Sequence, residues 1–269
     1  MASFITFLTD FGLQDDFVGT CHGVMKRIAP EVEIIDITHG IAPQAVLQGA
    51  LTLANTLPFM PEGVHLAVVD PGVGGARRAL ALRDAQGRMY VGPDNGLLIP
   101  AAEKLGGIMR VHVIDNIQYR LPVLTSTFHG RDLFAPVAAH LSLGARLEEA
   151  GESIDPVSLV KLDLPTPRIG SDEVVAHAIH VDGYGNVTLD LDAPMLAGGP
   201  LSPGDAIEIR APDGRFEGVW ARTFADVDGG DVLLFEDSSG ALALAVSGGS
   251  AAGLMNVTPD REITLRTLK

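Results

Sequence analysis

The sequence contains a single cysteine and a single tryptophan in 269 residues, and its bases are outnumbered, 19 Lys and Arg against 34 Asp and Glu. The lone Cys21 excludes an intrachain disulfide and a cysteine-based zinc cluster. A formal net charge of −15 at pH 7 argues against nucleic-acid backbone binding, which needs a basic surface. Such a field mildly favours a cationic small molecule, although solubility alone accounts for it equally well. No stretch approaches the ~18 consecutive apolar residues of a membrane helix. The apolar start, "SFITFL", is too short for a signal segment, has no basic flank, and reads as a first strand. A cytoplasmic protein is the expectation.

What is present is enough for a core. Hydrophobic residues are 46% and charged residues 20%, which excludes general disorder, and the length suits one large or two modest domains. Short apolar, largely β-branched runs recur at 4–8, 32–37, 64–69, 79–83, 88–92 and 111–115. Helical spacing separates several of them. Phe17, Cys21, Val24, Met25 and Ile28 share one face, with Asp15 and Asp16 placed for the helix N-terminus, so Cys21 is a packing residue. Residues 44–57 and 131–144 repeat the helical period, with Pro136 set to kink or delay the second. This alternation predicts an α/β domain over 1–163, an α/β sandwich with a parallel-rich sheet covered by helices. At "LPTPRIGS", 164–171, prolines and a glycine mark a linker. Beyond it, over 172–269, come strand-like runs separated by turn pairs such as Asp182-Gly183, Asp213-Gly214 and Gly229-Gly230, which predict an all-β barrel.

One stretch, "VVDPGVGGARRAL", resembles a phosphate loop and fails as one. A dinucleotide fingerprint would put a third glycine where Arg77 stands, and no G-x-x-x-x-G-K-[ST] string exists. "TDFG" lacks the other kinase elements. No H-x-H, H-E-x-x-H or D-x-D-x-D string supports a metal site, so no metal ligand is assigned, and His22, His39, His65 and His140 carry no distinguishing context. What remains is a set of polar residues at predicted strand ends, where open α/β sheets bind ligands. Asp10, Asp70, Arg77 and His129 could converge there. Taken singly, each has a plainer reading: a helix cap, a turn, a surface ion pair.

Together, "LTDFG", "DPGVGGARR", "PDNGLL", "STFHGRD" and "DGYGNV" resemble, in order and over nearly the whole chain, the adenosine-forming S-adenosyl-L-methionine (SAM) hydrolases, or SAM hydroxide adenosyltransferases, relatives of the fluorinases and chlorinases. The resemblance implies a homotrimer with active sites between subunits, SAM as substrate and no cofactor. It assigns Asp70, Arg77 and His129 to handling water, and Asp10 to the ribose hydroxyls. Asp182, Asn186, Phe224 and Ser238 fall on positions that hold the methionine and adenine parts, and the backbone at Gly248 follows the adenine edge. Asp15 matches an acid that binds the methionine amino group in halogenase relatives, a position where hydrolases vary. Gln44 stands where fluorinases carry a tryptophan. The family also suggests clearance of the off-configured sulfonium epimer.

Physical chemistry favours water over halide. A carboxylate about 4 Å from an anion costs roughly 4 kcal/mol at an effective dielectric near 20, or about three decades in affinity. Halogenases carry uncharged residues at the positions of Asp70 and His129. An ordinary carboxylate, pKa ~3.9, cannot form hydroxide from water of pKa ~15.7 unaided. Arg77 would stabilise hydroxide character, and Asp70 or His129 would take the proton as attack proceeds. The other readings are a non-catalytic SAM- or adenosine-binding sensor or carrier and a metal-dependent phosphohydrolase.

Overall fold

The computed structural model describes residues 4–268. It divides into two compact units, Met1–Leu162 and Asp163–Lys269. The first contains β1 (Phe4–Thr9), α1 (Phe17–Ile28), β2 (Glu33–Thr38), α2 (Val46–Thr56), β3 (Val64–Val68), β4 (Ala79–Asp84), β5 (Met89–Pro93), α3 (Ile99–Lys104), β6 (Ile108–Val113), α4 (Ala135–Ser142) and β7 (Ser153–Ile154). Their sheet order is β2-β1-β3-β5-β4-β6-β7.

Alternation along the strands explains the layering. Ile5, Phe7, Val64, Leu66, Ala79 and Ala81 point to one core, shared with buried residues of α1 and α4. Leu8, Ala67, Val69, Leu80, Leu82 and Tyr90 point to another, shared with α2 and α3. A sheet buried on both faces needs near-continuous apolar strands, which these are. Strands β2, β1, β3 and β5 run parallel, whereas β4 is antiparallel to both β5 and β6. The parallel-rich expectation thus holds for one half of the sheet. The other half is antiparallel because β4 and β5 form a hairpin rather than a crossover.

Cys21 is fully buried, and burial pushes its thiol up to about 12. Asp16 occupies the N-cap position of α1, but its carboxylate accepts from the Thr20 hydroxyl instead of capping backbone N–H groups. Pro136 sits in the first turn of α4, where its missing N–H costs nothing. The five residues before α4, Gly130–Phe134, form a π-helical turn.

The second unit contains β8 (Arg168–Ile169), β9 (Val174–Val181), β10 (Val187–Asp192), β11 (Ala206–Ala211), β12 (Gly214–Trp220), β13 (Val232–Glu236), β14 (Ala241–Val246), α5 (Ala251–Met255) and β15 (Glu262–Thr267). The order β10-β14-β13-β12-β11-β15-β9 closes through a β9–β10 pairing into a barrel, with β8 added on β9. Valine, leucine and isoleucine at alternate positions fill its interior. Three elements lie outside the sequence patterns, the first being β8, two residues within the 164–171 stretch read as a linker that pair with β9. The alternation of β12 is interrupted by Gly218, where a Cβ would meet the Val232 carbonyl oxygen at 2.8 Å. The short helix α5 is set by local signals, with Ser250 Oγ accepting from Gly253 N at its start and Asn256 left-handed at its end.

Candidate active site

At the carboxyl end of β3 the chain reaches Asp70 and turns back on itself. Val73 N donates to Asp70 O and Gly75 N to Gly72 O, two successive turns that return the chain to Arg77. Gly74 is left-handed at φ 74°, and a Cβ there would meet the Ser126 carbonyl oxygen at 2.2 Å. Only glycine fits this position. The same close approach brings the 126–129 segment, and with it His129, against the turn.

Three side chains converge as a result. Arg77 Nε lies 3.0 and 2.9 Å from the two Asp70 carboxylate oxygens. Its Nη2 reaches His129 Nδ1 at 2.7 Å. The Asp70 side chain is 5% exposed and that of Arg77 11%, so the pair is nearly desolvated. The Arg77 guanidinium also lies over the Phe134 ring at 5.1 Å. An arginine N–H can only donate, so His129 Nδ1 must accept, and the proton of the neutral ring is on Nε2. The His129 pKa is lowered by burial and then by the Arg77 charge, which outweigh Asp70, Asp132 and the Thr125 backbone.

Further residues hold this arrangement. Asp132, buried on the π-helical turn, accepts from Thr125 N at 2.8 Å and Thr125 Oγ1 at 2.6 Å, which ties down the loop before His129. Its pKa is lowered: bonds to Arg131 and Thr125 outweigh the upward push of burial, the largest single influence. Asn95 donates to the Val69 carbonyl at 2.8 Å, beside Asp70. Arg78, one residue beyond Arg77, points elsewhere and pairs with Asp94 through Nε at 2.7 Å. Asp132 and Asn95 belong to quoted motifs, "STFHGRD" and "PDNGLL", and that membership is the only sequence signal for either.

Asp10 follows β1 and accepts from Gln44 N at 2.8 Å through Oδ2. Gln44 is held left-handed at φ 66°, a strain of about 1–2 kcal/mol in a residue with a Cβ. Asp10 makes no hydrogen bond to the trio among the described residues. Its neighbour Phe11 instead packs edge-on against Phe128, ring centroids 5.8 Å apart, joining the two loops. Asp15 is exposed at the start of α1, with no hydrogen-bond partner among the described residues.

The second unit gathers the remaining candidates. Asp182, Asn186, Phe224, Ser238 and Gly248 all line one cavity of about 700 Å³, within the range of small-molecule sites. Asp182 builds the β9–β10 turn: Oδ1 accepts from Tyr184 N and Asn186 N, each at 2.9 Å, and Oδ2 from Asn186 Nδ2 at 2.7 Å. Phe224 meets Phe235 at 5.0 Å between centroids, giving an aromatic wall. Asp237 holds the turn carrying Ser238 by accepting from Ser239 N and Oγ, at 2.7 and 2.6 Å. Tyr184, Phe235, Asp237, Val246 and Gly249 also line the cavity and are not singled out by composition or periodicity.

Two family models cover most of the chain, those of the SAM hydroxide adenosyltransferase N-terminal domain over residues 5–151 and C-terminal domain over residues 176–264. The chain belongs to the SAM hydroxide adenosyltransferase family. Within it, a (R)-S-adenosyl-L-methionine hydrolase of Salinispora tropica is 46% identical over 95% of this chain and 94% of its own length. A fluorinase of Actinoplanes sp. is more distant, 29% identical over 97% of this chain and 96% of its own. A crystal structure of a Thermotoga maritima protein superposes with a TM-score of 0.89 at 36% identity, covering 97% of this chain and 99% of that one.

Gly74→Ala gives a direct test of the turn. It combines a left-handed backbone with the clash at Ser126, so the trio shifts by a substantial fraction of an ångström. Family activity should fall at least about 100-fold. The variant's kcat/KM and melting temperature, measured beside wild type, check this; wild-type kinetics would show that the turn does not set the alignment.

Proposed function

We propose that this protein hydrolyses SAM to adenosine and L-methionine by attack of water on C5′, favouring the (R) sulfonium epimer. The curated relatives at 40–46% identity over nearly the whole chain carry that activity in their names. The observation that carries the mechanism is the Arg77 guanidinium held between Asp70 and His129.

Water oxygen attacks C5′ in line with sulfur, the C–O bond forms as the C–S bond breaks, and the bonding pair leaves on neutral methionine. No acid is needed at the leaving group. The water proton must go to a base. His129 is a poor candidate, because Arg77 occupies the Nδ1 lone pair and Nε2 already carries a proton. Asp70 takes the proton in this reading, and passes it to solvent after product release. His129 fixes Arg77 from the opposite side and offers an N–H that can hold the water oxygen. Arg77 stabilises the hydroxide character that develops in a nearly dry site. A dication has no place in this trio, since the guanidinium already occupies the space between its two ligand-type side chains.

Asp10 would hold the ribose hydroxyls, with Gln44 shaping its position. The cavity lined by Asp182, Asn186, Phe224, Ser238 and Gly248 would take the adenine and methionine parts, Phe224 supplying a stacking face. Asp15 would attract the methionine amino group. The reading includes assembly as a homotrimer with sites completed between subunits, and a cytoplasmic location, where SAM is made. No helix among the described residues is long and apolar enough to cross a membrane.

Incubation with each SAM epimer in ¹⁸O-water, with a chelator present, tests the reaction by mass spectrometry. Adenosine labelled at its 5′ oxygen, formed with methionine and faster from the (R) epimer, is the expected result. Tight binding with SAM unchanged would replace hydrolysis with the sensor reading.

A further inference from the structure

Away from the trio, α1 and the end of β2 bring three ligand-type side chains together. The donor atoms of His22, Asp36 and His39 all lie within 4.8 Å of one another. Asp36 Oδ1 is 2.9 Å from His22 Nε2 and 3.2 Å from His39 Nε2. The first contact is a hydrogen bond. The second lacks the geometry of one, so the buried His39 Nε2 is left without a hydrogen-bond partner. The His39 side chain is 3% exposed. Of the four buried side-chain polar atoms without a hydrogen-bond partner among the described residues, His39 Nε2 is the one that faces two other ligand-type side chains, and a buried polar atom of this kind calls for an explanation.

The other face of the His39 ring supplies one. His39 Nδ1 is bonded to Thr9 Oγ1 at 2.8 Å, and Thr9 Oγ1 also accepts from Phe11 N at 3.2 Å. In the tautomer whose Nδ1 proton is donated to Thr9, the Nε2 lone pair faces Asp36 and His22, an arrangement that a cation bound between them would stabilise. Metal-bound histidines are commonly fixed in this way through their second nitrogen. Phe7 lies under both rings, at 4.8 Å from His39 and 5.9 Å from His22, and gives the cluster an apolar floor. Ligand atoms about 2.0–2.1 Å from a tetrahedral ion lie about 3.3 Å apart, close to the two separations here. His22 and Asp36 are partly exposed, which leaves an entry path and room for water.

We propose that His22, Asp36 and His39 form a binding site for a divalent transition-metal ion of the zinc class, completed by water. Two imidazoles with one carboxylate suit such an ion and not Mg²⁺ or Ca²⁺, which take oxygen ligands. Bound metal would cross-link α1 to β2. It would also brace the segment carrying Asp10, because Gly12 N donates to the His39 carbonyl at 2.8 Å and Thr9 bonds the His39 ring. The role is structural, outside the path of the water proton.

Equilibrium dialysis of chelator-stripped, full-length protein against Zn²⁺, with metal counted by mass spectrometry, is the test. Wild type should take up one tightly held ion per chain. His22→Ala, which keeps a good helix former on α1, and Asp36→Asn should bind at least about 100-fold more weakly, since even outer-shell changes cost 10–100-fold. His180→Gln, on the barrel, should bind like wild type. Zinc should also raise the melting temperature of wild type and leave that of His22→Ala unchanged. Absence of a tight equivalent in wild type, or equal uptake by the His22 and Asp36 variants, overturns the site. Uptake is read without SAM, so this result and the hydrolysis result stand or fall separately.

Discussion

Asp70→Asn will lower kcat for SAM hydrolysis by about 10²–10⁴-fold, the usual contribution of a positioned general base. The substitution keeps size and removes the only group of the trio able to accept a proton in the observed hydrogen-bond pattern. It also leaves Arg77 with a neutral partner in a nearly desolvated place, since asparagine offers one oxygen where the carboxylate offered two. KM should change much less than kcat, because in the proposed mechanism Asp70 acts on water and SAM is held by other residues. Steady-state kinetics with the (R) epimer give both constants. A variant with wild-type kcat would move the base to another residue. The matching His129→Gln variant should lose less, since an amide can still accept from Arg77 and donate to water.

Arg77→Ala is expected to cost at least as much, about 10³-fold or more in kcat/KM, for two separable reasons. In the proposed mechanism it removes the fixed charge that stabilises the developing hydroxide, a term of about 3–4 kcal/mol at comparable sites. It also frees His129 Nδ1 and removes one of the influences holding the His129 pKa down. The sign follows. In wild type, burial and Arg77 hold the His129 pKa below its ordinary 6.5; in the variant burial alone opposes protonation, so the acid-side fall in rate moves to higher pH. Arg77→Lys should recover the charge and not the fork that spans Asp70 and His129, and so restore only part of the rate. A pH–rate profile of the three proteins separates these effects. Lost SAM affinity with kcat retained would contradict the role given to Arg77.

The residues and the folded chain carry two kinds of information. Strand and helix identity came from local periodicity, because burying one face of a strand or helix imposes a repeat on the residues that make it. Thus β9 and β14 match their apolar runs, while β12 is hidden where Gly218 replaces a side chain for the sake of the β13 backbone. The antiparallel half of the first sheet was not legible, since a strand's own pattern does not record its neighbour's direction. The chemistry was legible only as residues at strand ends.

The sequence by itself determined the two-part architecture, the burial of Cys21 and, through ordered motifs, the family and the residues worth testing. Only the tertiary structure decided what those residues do to one another. Asp70 and His129 are 59 positions apart, and it is the close approach of Gly74 to Ser126 that lets one guanidinium join them. The Arg77 bond to His129 Nδ1 then places the neutral ring's proton on Nε2, which is why the proposed mechanism gives the proton to Asp70. His22, Asp36 and His39 show the limit most plainly. No motif string links them, because a metal-type cluster assembled from a helix and the neighbouring strand has its spacing in space and not along the chain.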